Sequence, residues 1–91
     1  MLEARITVVN RLGLHARAAA QLVRLAGKFR STVMLLHPGR NVSANAKSIL
    51  SVLTLAAAMG TELMITVDGE DEESALTEIS SLFANRFGES L

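Results

Sequence analysis

One stretch of this chain combines residue types and spacing that could do chemistry: Gly13-Leu14-His15-Ala16-Arg17-Ala18-Ala19-Ala20. From Ala16 to about Gly27 the pattern is helical, with Ala19, Leu22, Val23 and Ala26 on one face and Arg17, Gln21, Arg24 and Lys28 opposite. The first N–H groups of a helix lack intrahelical partners, and Ser, Thr, Asp or Asn ordinarily supplies an acceptor for one of them. Here none does, and His15 stands at that position. Unpartnered N–H donors at the positive end of the helix dipole make a site for an anion. Arg17, just inside the helix, can add a charge-assisted contact to a phosphate. The same positive potential disfavours an imidazolium and so favours a neutral, nucleophilic ring. A phosphoryl group once on that ring would be stabilised where it sits. The plainer reading is a surface histidine in a loop and an arginine on a solvated face.

Elements on either side must position this stretch. Leu2 to Val9 alternates apolar and polar residues as a half-buried strand does, and Asn10 to His15 forms a loop. Thr32 to Leu36 reads as a second strand, Pro38-Gly39 as a tight turn, and Arg40 to Ala44 as the returning strand. Ser48 can cap a helix from Ile49 to Met59 that Gly60 would stop. Thr61 to Val67 alternates again, Asp68-Gly69 turns, and Asp71 can cap a last helix whose first turn holds Glu72 and Glu73, where negative charge is favoured. Leu76, Ile79, Leu82, Phe83 and Arg86 carry it towards Phe87 and Gly88. The order β-α-β-β-α-β-α predicts one α+β domain over residues 1–91, a mostly antiparallel sheet with helices on one face.

Composition narrows the functions. Nine Lys+Arg balance nine Asp+Glu, and the three aromatics are all Phe, which argues against a nucleic-acid binder. The chain has no cysteine, which excludes disulfides, thiolate metal sites and Cys nucleophiles, and its two histidines cannot make a multi-His metal site. His37 beside Pro38 reads as an ordinary hairpin residue. No Ser/His/Asp set or carboxylate pair suggests a hydrolase. Apolar residues reach 49%, yet the longest unbroken apolar run, Leu55–Met59, is five residues, and a membrane span needs about 20. The N-terminus alternates charge rather than forming the apolar core of a secretory signal, so the expectation is a cytoplasmic, soluble monomer without membrane insertion.

Asn10-Arg11-Leu12-Gly13-Leu14-His15-Ala16-Arg17 and the alanine-rich helix after it resemble HPr, the histidine phosphocarrier family of the bacterial phosphotransferase system. A second block, Ala46-Lys47-Ser48-Ile49-Leu50-Ser51-Val52-Leu53, agrees, as do Gly60-Thr61-Glu62-Leu63 and Gly69-Glu70-Asp71-Glu72. The resemblance spans essentially the whole chain. It implies an open-faced sandwich of a four-stranded antiparallel sheet and three helices. It further implies that His15 accepts a phosphoryl group on Nδ1 from phosphorylated enzyme I and passes it to a histidine of an enzyme IIA protein, with no cofactor. Arg17 would neutralise the phosphate, and the N–H groups of Ala16, Arg17 and Ala18 would bind its oxygens. Ile49, Leu50 and Leu53 would form an exposed docking patch rimmed by Arg17, Arg24 and Lys28, with Val52 and Leu55 pointing inward. Ser48 would be the position modified by an HPr kinase/phosphorylase, in which case a mainly regulatory protein is the alternative; an intact His15 speaks against that.

Two features depart from the usual family pattern, and the chain's ending bears on its branch. Ala18 stands where proline is usual, which adds a backbone donor and loses some rigidity. The segment between Gly39 and Ser48 is longer than in common relatives. Ala18 and the Phe87-Gly88-Glu89 ending look more like the nitrogen-related branch, which signals to regulatory enzyme IIA proteins.

Overall fold

The structure, a computed structural model, describes residues 1–89. Its elements are β1 (Leu2–Thr7), α1 (Ala16–Ala26), β2 (Thr32–His37), β3 (Val42–Asn45), α2 (Ile49–Leu53), β4 (Glu62–Asp68) and α3 (Glu72–Ala84), followed by a 3-10 turn, Arg86–Gly88. The strands form one antiparallel sheet in the order β1-β4-β2-β3. Its register explains the alternation. Ala4 lies opposite Ile65, Ile65 opposite Leu35 and Leu35 opposite Ala44, so one row crosses all four strands on the inner face. Ile65, Leu35 and Ala44 in that row are buried, while the neighbouring row, Glu3–Thr66–Met34–Asn45, faces outward and is uncovered or half-covered.

All three helices contribute to the single core on the inner face. α1 buries Ala18, Ala19, Leu22 and Ala26, α2 buries Val52, and α3 buries Ala75, Ile79 and Phe83. Leu22 is the one large side chain that α1 buries completely, with Val23 and Leu25 half-buried against the same core. The fold is the α+β open-faced sandwich expected, in the order β-α-β-β-α-β-α.

Local differences have local causes. Arg40 and Asn41 belong to the turn and not to β3: Arg40 N–H donates to His37 O (3.1 Å), and Asn41 takes φ 53°. α2 stops at Leu53 and does not run to Met59. Thr54 Oγ1 donates to Ser51 O, a side-chain bond that competes with helix continuation, and Ala56 turns left-handed at φ 47°. Gly60 is therefore no helix stop. It sits at φ 92° in the turn into β4 and donates its N–H to Val8 O (2.7 Å). Asp71 occupies the position before α3 but caps nothing in it; its carboxylate accepts instead from Arg30 N, Ser31 N and the Ser31 hydroxyl. Those bonds, led by the Ser31 hydroxyl, hold its carboxyl down at about 2. α3 ends at Ala84, short of Phe87, because Arg86, Phe87 and Gly88 all take positive φ (57°, 53° and 76°) and redirect the chain.

Candidate functional site

Residues 10–15 carry His15 to the start of α1, and close packing fixes their path. Gly13 takes φ 66°, and a Cβ there would fall 2.4 Å from Ala57 O, so only glycine fits. Beside it, Leu14 N–H donates to Ala57 O (2.9 Å) and the Leu14 side chain is buried. Asn10, fully buried, donates from Nδ2 to Gly13 O (2.7 Å) and holds the loop from within.

His15 follows as the N-cap of α1, with φ −75° and ψ 178°, and its Nδ1 accepts from Arg17 N–H (3.3 Å). The imidazole thus supplies the cap that the sequence otherwise lacks, and one first-turn N–H expected to be unpartnered is partnered by the histidine itself. The N–H groups of Ala16 and Ala18 have no protein acceptor among the described residues, while Ala19 N–H bonds His15 O (2.8 Å). Arg17 is exposed, and with Arg11, Leu12, Gly88 and Glu89 it lines a shallow groove beside the ring. Neither guanidinium forms an ion pair among the described residues. The groove therefore offers two guanidiniums free of ion pairs among the described residues at a helix N-terminus, next to an imidazole whose other nitrogen meets the Glu89 carboxylate.

The second ring nitrogen leads to a residue that the sequence reading did not place in the site. Nε2 of His15 lies 2.8 Å from Glu89 Oε2. The same oxygen accepts from Asn10 Nδ2 (2.8 Å), and Glu89 Oε1 accepts from Leu12 N–H (3.3 Å). A carboxylate can only accept, so this partner assigns the proton to Nε2 and leaves the lone pair on Nδ1. The Asn10 bond above all, with those from His15 and Leu12, holds the Glu89 carboxyl below the usual carboxylate range despite its burial. Phe87 delivers the acid: its ring is buried edge-to-face on Phe83, with centroids 4.9 Å apart, and Gly88 turns the chain back. An acidic residue directly after a Phe-Gly pair at a helix end was the available signal.

The other candidates lie on the two helices. Arg24 and Lys28 are exposed, Arg24 in the last turn of α1 and Lys28 just beyond it. Ser48 caps α2, its Oγ accepting from Ser51 N–H (3.4 Å). Ile49, Leu50 and Leu53 are exposed, Leu50 by 74%, whereas Val52 and Leu55 are fully buried. Leu12 and Met59 are exposed as well and add apolar surface not singled out from the sequence. His37 ends β2 in the hairpin. Among the described residues no acidic or histidine cluster could hold a metal ion, and no helix is long and apolar enough to cross a membrane.

Fold and site together define a small α+β domain with one partly exposed histidine at a helix N-terminus, its Nδ1 lone pair at the helix opening. The family model of the PTS HPr component phosphorylation site matches residues 2–85, and the chain belongs to the HPr family. It is 53% identical over 89 residues to phosphocarrier protein HPr of Xylella fastidiosa, and 48% identical over 89 residues to that of Cupriavidus necator. In each pair 98% of both chains is covered. Among solved structures, HPr-C-His from Thermoanaerobacter tengcongensis superposes with a TM-score of 0.93 at 37% identity over the whole of both chains. Phosphocarrier protein HPr from Bacillus anthracis gives 0.82 at 32% identity, covering 88% of this chain and 93% of that one. The chain is thus a phosphocarrier of the phosphotransferase system, an intermediate that is itself phosphorylated and not an independent catalyst. Its family implies interaction with enzyme I and enzyme IIA proteins.

Proposed function

We propose that residues 1–91 act as a single, monomeric phosphocarrier domain in which Nδ1 of His15 is the atom that carries the phosphoryl group. The observation that supports this reading is the Nδ1 lone pair, held at the opening of α1 beside an Arg17 that forms no ion pair among the described residues. The lone pair attacks the phosphorus of the phosphohistidine on enzyme I. A new N–P bond forms, the donor's N–P bond breaks, and its electron pair returns to the donor ring. The Arg17 guanidinium and the N–H groups of Ala16, Arg17 and Ala18 bind the phosphate oxygens, Arg17 N–H exchanging its imidazole acceptor for one of them. Transfer to an enzyme IIA histidine repeats the exchange with the roles reversed. On this reading the chain works in the cytoplasm, where phosphoenolpyruvate charges enzyme I.

Docking is assigned to Ile49, Leu50 and Leu53, with Arg17, Arg24 and Lys28 as a basic rim for acidic partner surfaces. Ser48, half-buried at the start of the same helix, is the regulatory position for an HPr kinase/phosphorylase. A phosphate there is tolerable to the helix and sets a charge beside the apolar patch. Ala18 and the Phe87-Gly88-Glu89 ending favour a regulatory enzyme IIA as the receiver.

Incubation with enzyme I and phosphoenolpyruvate, followed by intact mass, tests the proposal. The expected result is one added acid-labile phosphate, absent in His15→Ala. No gain in the parent chain, or a gain that persists in His15→Ala, overturns it.

A further inference from the structure

The acid beside the nucleophile is held more firmly than the nucleophile itself. The side chain of Glu89 is only 7% exposed, against 26% for His15. Three donors converge on its carboxylate: Asn10 Nδ2, Leu12 N–H and His15 Nε2. Two of these come from the loop that also positions the ring, and Asn10, at 0% exposure, ties that loop through Gly13 O as well. Loop, ring and chain end therefore form one hydrogen-bonded unit. It brings together residues 74 positions apart in sequence.

We propose that Glu89 is a positioning residue, which holds the His15 proton on Nε2 and the lone pair on Nδ1 through both halves of the phosphoryl exchange. The proposal rests on the reading of His15 as the phosphoryl acceptor. A neutral imidazole can carry its proton on either nitrogen, and the hydrogen bond made by one nitrogen sets the role of the other. When Nδ1 attacks, its lone pair becomes the new N–P bond, and the ring, still protonated at Nε2, becomes a phosphoimidazolium cation. The Glu89 carboxylate lies directly on that proton and balances the cation. When the group leaves, the N–P bond breaks and the pair returns to Nδ1, restoring the neutral ring with its proton still on Nε2. No proton moves in either direction. Without Glu89 only the 3.3 Å bond from Arg17 N–H, which an incoming phosphate draws away, still favours that tautomer, and Nδ1 is less reliably the nucleophile. Arg11 and Arg17, which line the groove with Glu89, face the opposite charge, that of the phosphate.

The test pairs a spectroscopic readout with a rate, using Glu89→Ala, Glu89→Gln and Glu89→Asp. At a pH where the ring is neutral, the two His15 ring ¹⁵N signals of the parent chain should be well separated, as one dominant tautomer requires. In Glu89→Ala they should move towards each other, and phosphoryl transfer from enzyme I should slow by about 10-fold to 100-fold at unchanged KM, by analogy with the loss of the orienting partner of a metal-bound histidine. Glu89→Asp should recover both readouts in part, and Glu89→Gln should recover less because it lacks the charge. Unchanged ¹⁵N signals and rate in Glu89→Ala overturn the proposal while leaving His15 the acceptor. Persistence of the phosphate in His15→Ala refutes the underlying reading instead, so the two failures are distinct. Should Glu89→Ala lose thermal stability, the near-isosteric Glu89→Gln decides: parent-like signals and rate there overturn the role of the charge.

Discussion

The helices α1 and α3 open in opposite ways. α3 begins behind Asp71 with Glu72 and Glu73 in its first turn, so negative charge already sits at its positive end. Those acids serve the fold. Asp71 fastens the Arg30–Ser31 turn, and Glu72 accepts from Gly69 N–H (3.1 Å) and pairs with the N-terminal amine (3.3 Å). α1 has no acid in its first turn, carries Arg17 there, and is capped by an imidazole. The carboxylate nearest to it among the described residues, that of Glu89, lies on the far nitrogen of that ring. A helix opening whose dipole is met by its own carboxylates is structurally complete. One left electropositive, with an imidazole as its cap, suits, on the proposed reading, a charge that arrives and departs.

The contrast can be broken at either end. The largest effect should come from Arg17→Ala. A charge-assisted hydrogen bond contributes about 1.5–3 kcal/mol, so transfer from enzyme I should slow by roughly 10-fold to 150-fold, with the melting temperature unchanged. At the other opening, Asp71→Asn should lower the melting temperature at neutral pH while the transfer rate stays at the parent value. The sign with pH follows from the carboxyl being held at about 2 against an ordinary 3.8. The stabilisation is complete above the higher value and is lost as pH falls towards the lower. The gap in melting temperature between parent and variant should therefore close over that interval, as a pH series of thermal melts would reveal.

The opening of α2 stands between the two, being capped by a neutral hydroxyl beside exposed apolar side chains. Leu50→Glu should weaken enzyme I binding by about 10-fold or more, as expected for a docking residue of about 1.4 kcal/mol or above, and titration calorimetry would measure it. Ser48→Ala should cost about 1 kcal/mol of stability through the lost cap, read by denaturant unfolding. An unaltered midpoint would show that the 3.4 Å cap bond contributes nothing.

What could be read from the sequence followed the reach of local rules. Strand alternation, the α1 face and the turn at Pro38-Gly39 are set by near neighbours, and each was legible. His15 at the opening of α1, with Arg17 beside it, could be singled out because a missing cap is a local signal too. A surplus of apolar residues in α2 reads equally as a covered core helix, and only the family resemblance singled out Ile49, Leu50 and Leu53 as exposed. The failures were non-local. α2 looked eleven residues long because Leu55, Ala56 and Met59 continue an apolar pattern, yet Leu55 and Ala57 are buried after the helix has ended. Asp71 resembled a cap, but its hydrogen bonds go to a turn 40 residues upstream. Glu89 was noticed only as part of a family ending, since no periodicity links a chain terminus to residue 15.

Gly13 carries one more consequence. Because it has no Cβ, the backbone at 13–14 lies directly on Ala57 O, which joins the histidine loop to the segment leaving α2. His15 and the exposed residues of α2 thus share one reference frame. On the proposed reading, a partner seated on Ile49, Leu50 and Leu53 would inherit its alignment with Nδ1 from that seam and need not find it anew at each encounter. Aiming of the phosphoryl group is then a property of the backbone, which a change far from any reacting atom would detune.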